Sequence, residues 1–388
     1  MTEHFNTLCL LCSPNTTPDD LSDISIDWQA VWQLALRHRV VPVMADRIKQ
    51  LNVAVPEAIA QPMAAHNQKN LLKGMKQSAE LVFLLGILSE QHIPFVLFKG
   101  LATSNLSGLG LHQRHHGDID ILLANQQDIW NTDDILRRNG YERTHPPESI
   151  PLNDWQKRHL LKYGKDFGYF NKEKNIRLEL HFKLFSSNVM CSLIESPADI
   201  YKNKINITIN NHTIPIMNKQ THLIYLLIHG SISRWFRLKW LCDIPFISQN
   251  GDSYLNTNII KTEKHSKLKS MIEQGLYLAN KHLNMPISNH LIEKTTLEKN
   301  FIIDFSNQHL INQKTLAELR PKFSLELPLY YWKLMKYKLI LIQSTRYRME
   351  VFHAYTTEMD DWQMLQLPST FAWLYYPLRP ILWLKRQF

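Results

Sequence analysis

Cysteine is scarce, at four residues in 388. That is too few for a disulfide framework in a chain of this length, and it fits a reducing compartment. Cys9 and Cys12 form a lone C-x-x-C that no second pair or His pair completes into a zinc site, so they read as small buried residues of a first helix. Gly/Ser-rich and Pro-rich tracts and internal repeats are missing, which excludes a low-complexity or repeat architecture. No run reaches about 18 uncharged apolar residues, so no membrane span is expected. The start, MTEHFNTLCLLCSPN, lacks the basic residues and long apolar core of a secretory signal, and the expected location is cytoplasmic. Neither G-x-S-x-G nor G-x-x-x-x-G-K-S/T occurs, which removes a serine nucleophile elbow and a Walker loop.

What is present describes an ordered globular protein, with 44% hydrophobic and 20% charged residues, long enough for two or three domains of roughly 100–200 residues each. The formal net charge of +9 and the pI of about 9.2 favour polyanionic partners. The charge is spread along the chain, so it gives a phosphate substrate only weak support.

Apolar residues recur at helical spacing over 27–51 and 57–92. The pattern breaks at Pro94, after which PFVLF reads as a buried strand. Residues 117–123 read as a second strand, and 126–139 as an amphipathic helix stopped by Asn139-Gly140. Residues 165–172 and 176–183 follow as strands joined by the polar turn NKEKN. Isoleucines then alternate through 205–216 across an Asn-Asn-His turn, the signature of a hairpin. From Lys219 the periodicity is helical again, with polar breaks at 250–258 and Pro286. The expected class is α+β: a helical region over 1–92, a mixed sheet core over 93–217 and a helical domain over 218–388.

The densest chemistry lies at 95–123, FVLFKGLATSNLSGLGLHQRHHGDIDILL. Successive strand residues face opposite ways, so Asp118 and Asp120 share one face, about 7 Å apart, while Ile119, Ile121 and Leu123 take the other. In IRLELHF, Glu179 shares a face with Arg177, His181 and Lys183. If the two strands are neighbours, three carboxylates meet, a hard oxygen set that suits Mg²⁺ or Mn²⁺ rather than zinc. In-line attack on a phosphoryl group builds charge on the entering and leaving oxygens, and two divalent ions about 3.5–4 Å apart stabilise both. Lys99-Gly100, at the end of the first strand, offers a point charge and a close backbone approach to phosphate at the start of a helix.

On FKG at 98–100, Arg114, DIDILL at 118–123, NGYER at 139–143, ELHF at 179–182, LIHG at 227–230, WFRLKWLCDI at 235–244 and LRP at 378–380, the chain resembles the DNA polymerase β-like nucleotidyltransferase superfamily. More narrowly, it resembles the bacterial group described as uncharacterised nucleotidyltransferase family proteins. The resemblance implies a mixed sheet flanked by helices, a nucleoside triphosphate substrate, and Asp118, Asp120 and Glu179 as metal ligands and catalytic residues. Nucleotide contacts are then expected from Lys99, Gly100, Thr103, Ser104 and Arg114. The turn Lys99-Gly100-Leu101 departs from the Gly-Ser or Gly-Gly of the wider superfamily. Ile232 and Ser233 likewise stand where a Lys and a His are expected ahead of the tryptophan.

His181 is a candidate contact to substrate or orienter of Glu179, and His229 and Arg237 are candidate acceptor-side groups, Arg237 alternatively pairing with Asp243. His112, His115 and His116 read as a solvent-facing or phosphate-adjacent loop, because Mg²⁺ prefers oxygen. The aromatic and basic tail, 370–388, contains two prolines that interrupt a continuous helix, which favours packing on the body over contact with a membrane surface. The expected activity is Mg²⁺-dependent transfer of a nucleoside monophosphate from an NTP to a hydroxyl or phosphate of a small molecule, sugar or peptide. The alternatives are a nucleotide-binding scaffold of the same fold and an RNA-directed transferase, the latter without a dedicated RNA-binding module in the sequence.

Overall fold

The computed structural model describes residues 2–249, 266–287, 297–312, 326–354 and 359–385. The polar break expected at 250–258 lies outside these residues apart from its flank. The chain divides into two compact units: Met1–Ala79, Lys99–Gly117 and Lys219–Ile342 form one, and Glu80–Phe98, Asp118–Asn218 and Gln343–Phe388 the other.

The second unit holds a seven-stranded mixed sheet of order β3-β4-β5-β2-β1-β7-β6. The strands are β1 Phe95–Phe98, β2 Ile119–Leu123, β3 Glu142–His145, β4 Asp166–Asn171, β5 Ile176–His181, β6 Ile205–Ile209 and β7 His212–Ile216. Every residue of β1 and β2 is buried; the continuous apolar run of β1 is that of a central strand, and β2 buries Asp120 among its apolar residues. The edge strands β3 and β6 are largely exposed and carry polar residues. β1 runs antiparallel to β2 and parallel to β7, and β2 runs parallel to β5. The β6–β7 hairpin turns on Asn210 and Asn211, both at positive φ (48° and 62°), the backbone of a two-residue turn whose twist matches the strands. The expected α+β class, a mixed sheet with many helices, is the one observed.

The first unit is helical. The helix Thr2–Cys12 buries both Cys9 and Cys12. The helix Lys219–Ile232 buries most of its length, and Trp235, fully buried, fills a slot that two glycines leave open: a Cβ on Gly230 or Gly275 would lie 2.3 or 2.7 Å from the Trp235 ring.

The tail differs from its sequence reading. Tyr375–Lys385 is one helix despite its prolines. Pro377 falls in the first turn, where a missing N–H costs nothing, and only Pro380 removes an internal bond. Tyr375 and Leu382 are buried, while Tyr376, Ile381, Trp383 and Leu384 are exposed. Among the described residues no helix is long and apolar enough to cross a membrane.

Candidate active site

β2 and β5 lie side by side with Asp120 opposite Glu179 in parallel register. Directly opposed residues share a face, and so do residues two apart in one strand. Glu179 therefore shares its face with Asp120 and with His181. On the other side of β5, antiparallel β4 sets Asp166 opposite His181. Three adjacent strands thus aim three carboxylates and an imidazole at one patch of sheet.

The side chains converge on a single atom. His181 Nε2 lies 3.1 Å from Glu179 Oε2, 3.3 Å from Asp120 Oδ1 and 3.6 Å from Asp166 Oδ2. One ligand atom each from Asp120, Glu179 and His181 fits within 4.8 Å of the others, the only such His/Cys/acid group among the described residues. His181 is fully buried, and its Nδ1 has no hydrogen-bond partner; its ring is held edge-on by Phe98, with centroids 4.8 Å apart. Phe98 is the β1 residue opposite Asp120. Asp120 is buried, Asp166 is mostly buried and bonded to Lys165, and the Glu179 side chain, 35% exposed, is the open edge of the cluster. Asp118 stands immediately before β2 and is half-buried.

This donor set fits a divalent cation. Carboxylate oxygens and one imidazole nitrogen are ordinary ligands of such ions, and they lie within reach of one position without backbone movement. Asp166 is absent from the sequence-based candidates. Its signal was the NKEKN turn: counting outward equally along β4 and β5 brings Asp166 opposite His181.

The other candidates lie in the helical unit. Lys99 has φ 54° and precedes the helix Gly100–Leu106, with Nζ 5.8 Å from the centroid of the Tyr225 ring. Thr103 and Ser104 are buried, and the Thr103 hydroxyl is 2.9 Å from His222 Nε2. Arg114 is buried in a bidentate pair with Asp243, at 2.7 and 2.8 Å, and its Nη1 donates to the Gly100 carbonyl. Asp243 thus pairs with Arg114 and not with Arg237, whose Nη1 donates to the Arg37 carbonyl. Burial, with Arg39 nearby, lowers the Arg237 pKa. His229 stacks on Tyr225 and meets Trp240 edge-on. In the His-rich loop only His112 is exposed; His116 is fully buried against Gly74, with Nε2 2.8 Å from the Leu111 carbonyl. That corrects the solvent-facing reading for His116.

In NGYER, Tyr141 donates to Glu80 and Arg143 pairs with Asp133, which also accepts from Tyr169, all at 2.8 Å. Burial raises the Asp133 pKa against the pull of Arg143. These motif residues hold the sheet's helical cover and stand apart from the carboxylate patch in the network they form.

A family model described as uncharacterised nucleotidyltransferase matches residues 25–284. No curated protein matches the chain. Among solved structures, an antigenic nucleotidyltransferase-like protein from Paracoccidioides brasiliensis is similar at 13% identity and a TM-score of 0.34, over 56% of this chain and 95% of that one.

Proposed function

The chain belongs to the uncharacterised nucleotidyltransferase family, and from that premise we propose that it transfers a nucleoside monophosphate from an NTP to a hydroxyl or phosphate of a small-molecule, sugar or peptide acceptor, with Asp118, Asp120 and Glu179 as its divalent metal ligands. The observation that carries this reading is the parallel register of Asp120 and Glu179, which gives two strands one shared ligand position. Bound divalent ions, Mg²⁺ or Mn²⁺, would supply charge neutralisation at the transferring phosphorus and lower the pKa of the acceptor hydroxyl.

The chain's own residues provide position. Asp120 sits in a strand buried from end to end, so its carboxylate is fixed by packing. Glu179, whose side chain is the most exposed of the cluster, is the member we assign to meeting the substrate. Phe98 holds the His181 ring, and His181 in turn orients Glu179 through the 3.1 Å contact. The Lys99-Gly100 turn, which follows β1 directly in the chain, is assigned to the triphosphate. Thr103, Ser104 and Arg114 are committed to the interior of the helical unit and are assigned to holding that turn.

The test incubates the protein with each α-labelled NTP, Mg²⁺ or Mn²⁺ and a metabolite extract, with and without RNA. Label transfer with pyrophosphate release is expected from the wild type, and its loss by about a hundred- to a thousand-fold from Asp120→Asn, as for removal of a principal electrostatic group. Nucleotide binding with no transfer in any mixture would establish the scaffold alternative, and label confined to RNA the RNA-directed one.

A further inference from the structure

We propose that the open face of β4 and β5 beside Glu179 is the acceptor subsite, and that Arg177, seated on Phe170, selects acceptors that carry an anionic group, carboxylate or phosphate, besides the oxygen that reacts. This rests on the transferase reading and goes beyond it by naming the chemical class of the acceptor. In that transfer an acceptor oxygen forms a bond to the α-phosphorus while the bond to the pyrophosphate oxygen breaks, and the proton of a hydroxyl acceptor passes to water.

The two faces of these strands differ. On one side Phe167, Tyr169 and Asn171 of β4 and Ile176, Leu178 and Leu180 of β5 are all buried. On the other, Asp166, Gly168, Phe170 and Glu179 are half-buried and Arg177 is exposed, and the face closes only beyond Glu179, at the fully buried His181. Register sets Gly168 opposite Glu179 and Phe170 opposite Arg177. Gly168 raises no side chain beside Glu179, and a glycine within a strand lets a ligand lie close to the backbone. A Cβ there would also press on His145 and Thr144 of β3 at 3.3 Å, so packing keeps the position bare.

Charge along this face points to the ligand. Asp166 is bonded to Lys165, and Glu179 belongs to the cluster around His181. Glu142, opposite Phe170 on β3, pairs with Lys172 at 2.8 Å. Arg177 makes no ion pair among the described residues, and its guanidinium carbon lies 5.9 Å from the centroid of the Phe170 ring. A guanidinium seated on an aromatic ring keeps its planar fork of N–H donors, which matches a carboxylate or a phosphate bidentately. Arg177 stands two residues before Glu179, about 7 Å along the strand on the same face. One small molecule can therefore present an oxygen at Glu179 and an anionic group to Arg177.

The experiment gives the full-length protein α-labelled NTPs, Mg²⁺ or Mn²⁺, and a small-molecule extract freed of nucleic acid and split by anion exchange into retained and unretained fractions. Label transfer is expected with the retained fraction alone. Phosphatase treatment of that fraction then separates the two sources of the anion: transfer lost identifies a phosphate, transfer kept a carboxylate, and either supports the proposal. Arg177→Gln should raise the amount of retained fraction needed for half-maximal transfer by about ten- to a hundred-fold, the size of a lost hydrogen bond to a charged group, and by more than it raises the KM for the NTP. Arg177→Lys, which keeps the charge without the fork, should recover part of that loss. Equal transfer to the unretained fraction, or an acceptor requirement that Arg177→Gln leaves unaltered, overturns this proposal and leaves the transferase reading intact. No transfer by the wild type with any fraction overturns both.

Discussion

Two of the protein's buried clusters of acidic and basic side chains are built on different plans. In the helical unit, the two carboxylate oxygens of Asp243 meet two guanidinium nitrogens of Arg114 at 2.7 and 2.8 Å. In the sheet unit, three carboxylates from three strands crowd one ring nitrogen at 3.1–3.6 Å. The first is a bidentate match in charge and geometry, and such a pair fixes structure. The second gathers like charges from three strands around one ring, a donor set that suits a divalent cation. Geometry thus separates a bidentate pair from a converging ligand set where burial does not, since Asp243 and Asp120 are equally buried.

The largest test of that contrast is mutation of one acid in each cluster. Asp243→Ala leaves the Arg114 guanidinium buried without its partner and is expected to cost about 3–5 kcal/mol, the usual penalty for breaking a buried pair. Asp120→Asn keeps shape and hydrogen-bonding capacity and is expected to cost under about 1 kcal/mol, while removing the thermal stabilisation that saturating Mn²⁺ or Mg²⁺ gives the wild type. That stabilisation is about 2.7 kcal/mol at one hundred times Kd. Urea unfolding with and without metal measures both. Equal losses for the two variants would break the distinction.

A smaller effect tests packing elsewhere in the helical unit that holds the Arg114–Asp243 pair. Gly230→Ala would place a methyl 2.3 Å from the Trp235 ring, and the backbone at Gly275 also closes on that ring, where a Cβ would lie 2.7 Å away, so the fully buried ring has little room to move. Overpacking of this kind is expected to cost about 1–3 kcal/mol, read as a lower urea midpoint. Trp235→Phe in the same background should recover part of the loss by shrinking the ring.

How much of this was legible in the sequence depended on the range of the signal. Period-two alternation is local, so Asp120 and Glu179 could be placed on strand faces from their neighbours alone. Their mutual register was not legible, because a crossover of more than fifty residues separates β2 from β5 and no local rule fixes a parallel pairing. Asp166 was accessible in principle through the hairpin turn, since an equal count outward along the two strands sets it opposite His181. Arg114 and Asp243 lie 129 residues apart, and side-chain pairing at that distance leaves no pattern. Arg114 therefore read as a phosphate donor and Asp243 as a partner for Arg237, its near neighbour in sequence. The tail shows the converse: the local rule that proline interrupts a helix is overridden at Pro377 by its place in the first turn.

The smallest predicted effect concerns protons. His38 Nδ1 accepts the backbone N–H of Leu238, the first residue of the helix Leu238–Gln249, at 3.0 Å. Burial, then the neighbouring Arg37 and Arg237, lower its pKa to about 3. The unfolded chain takes up this proton near pH 6.5 while the folded protein refuses it, so stability is complete above pH 6.5 and declines as pH falls toward about 3. Between pH 6.5 and 5.5 this one group should remove about 1 kcal/mol. His38→Gln, whose amide oxygen can accept the same bond but cannot titrate, should reduce the slope of unfolding free energy against pH over that interval. His222, lowered to about 3 by burial and then by Arg114 and Lys99, contributes a similar slope that the substitution leaves in place. The difference between wild type and variant, and not the total acid sensitivity, therefore isolates the cap. An unchanged slope in His38→Gln would mean that the helical unit accepts a proton at this position, and that its polar contacts are less strictly matched than the Arg114–Asp243 pair.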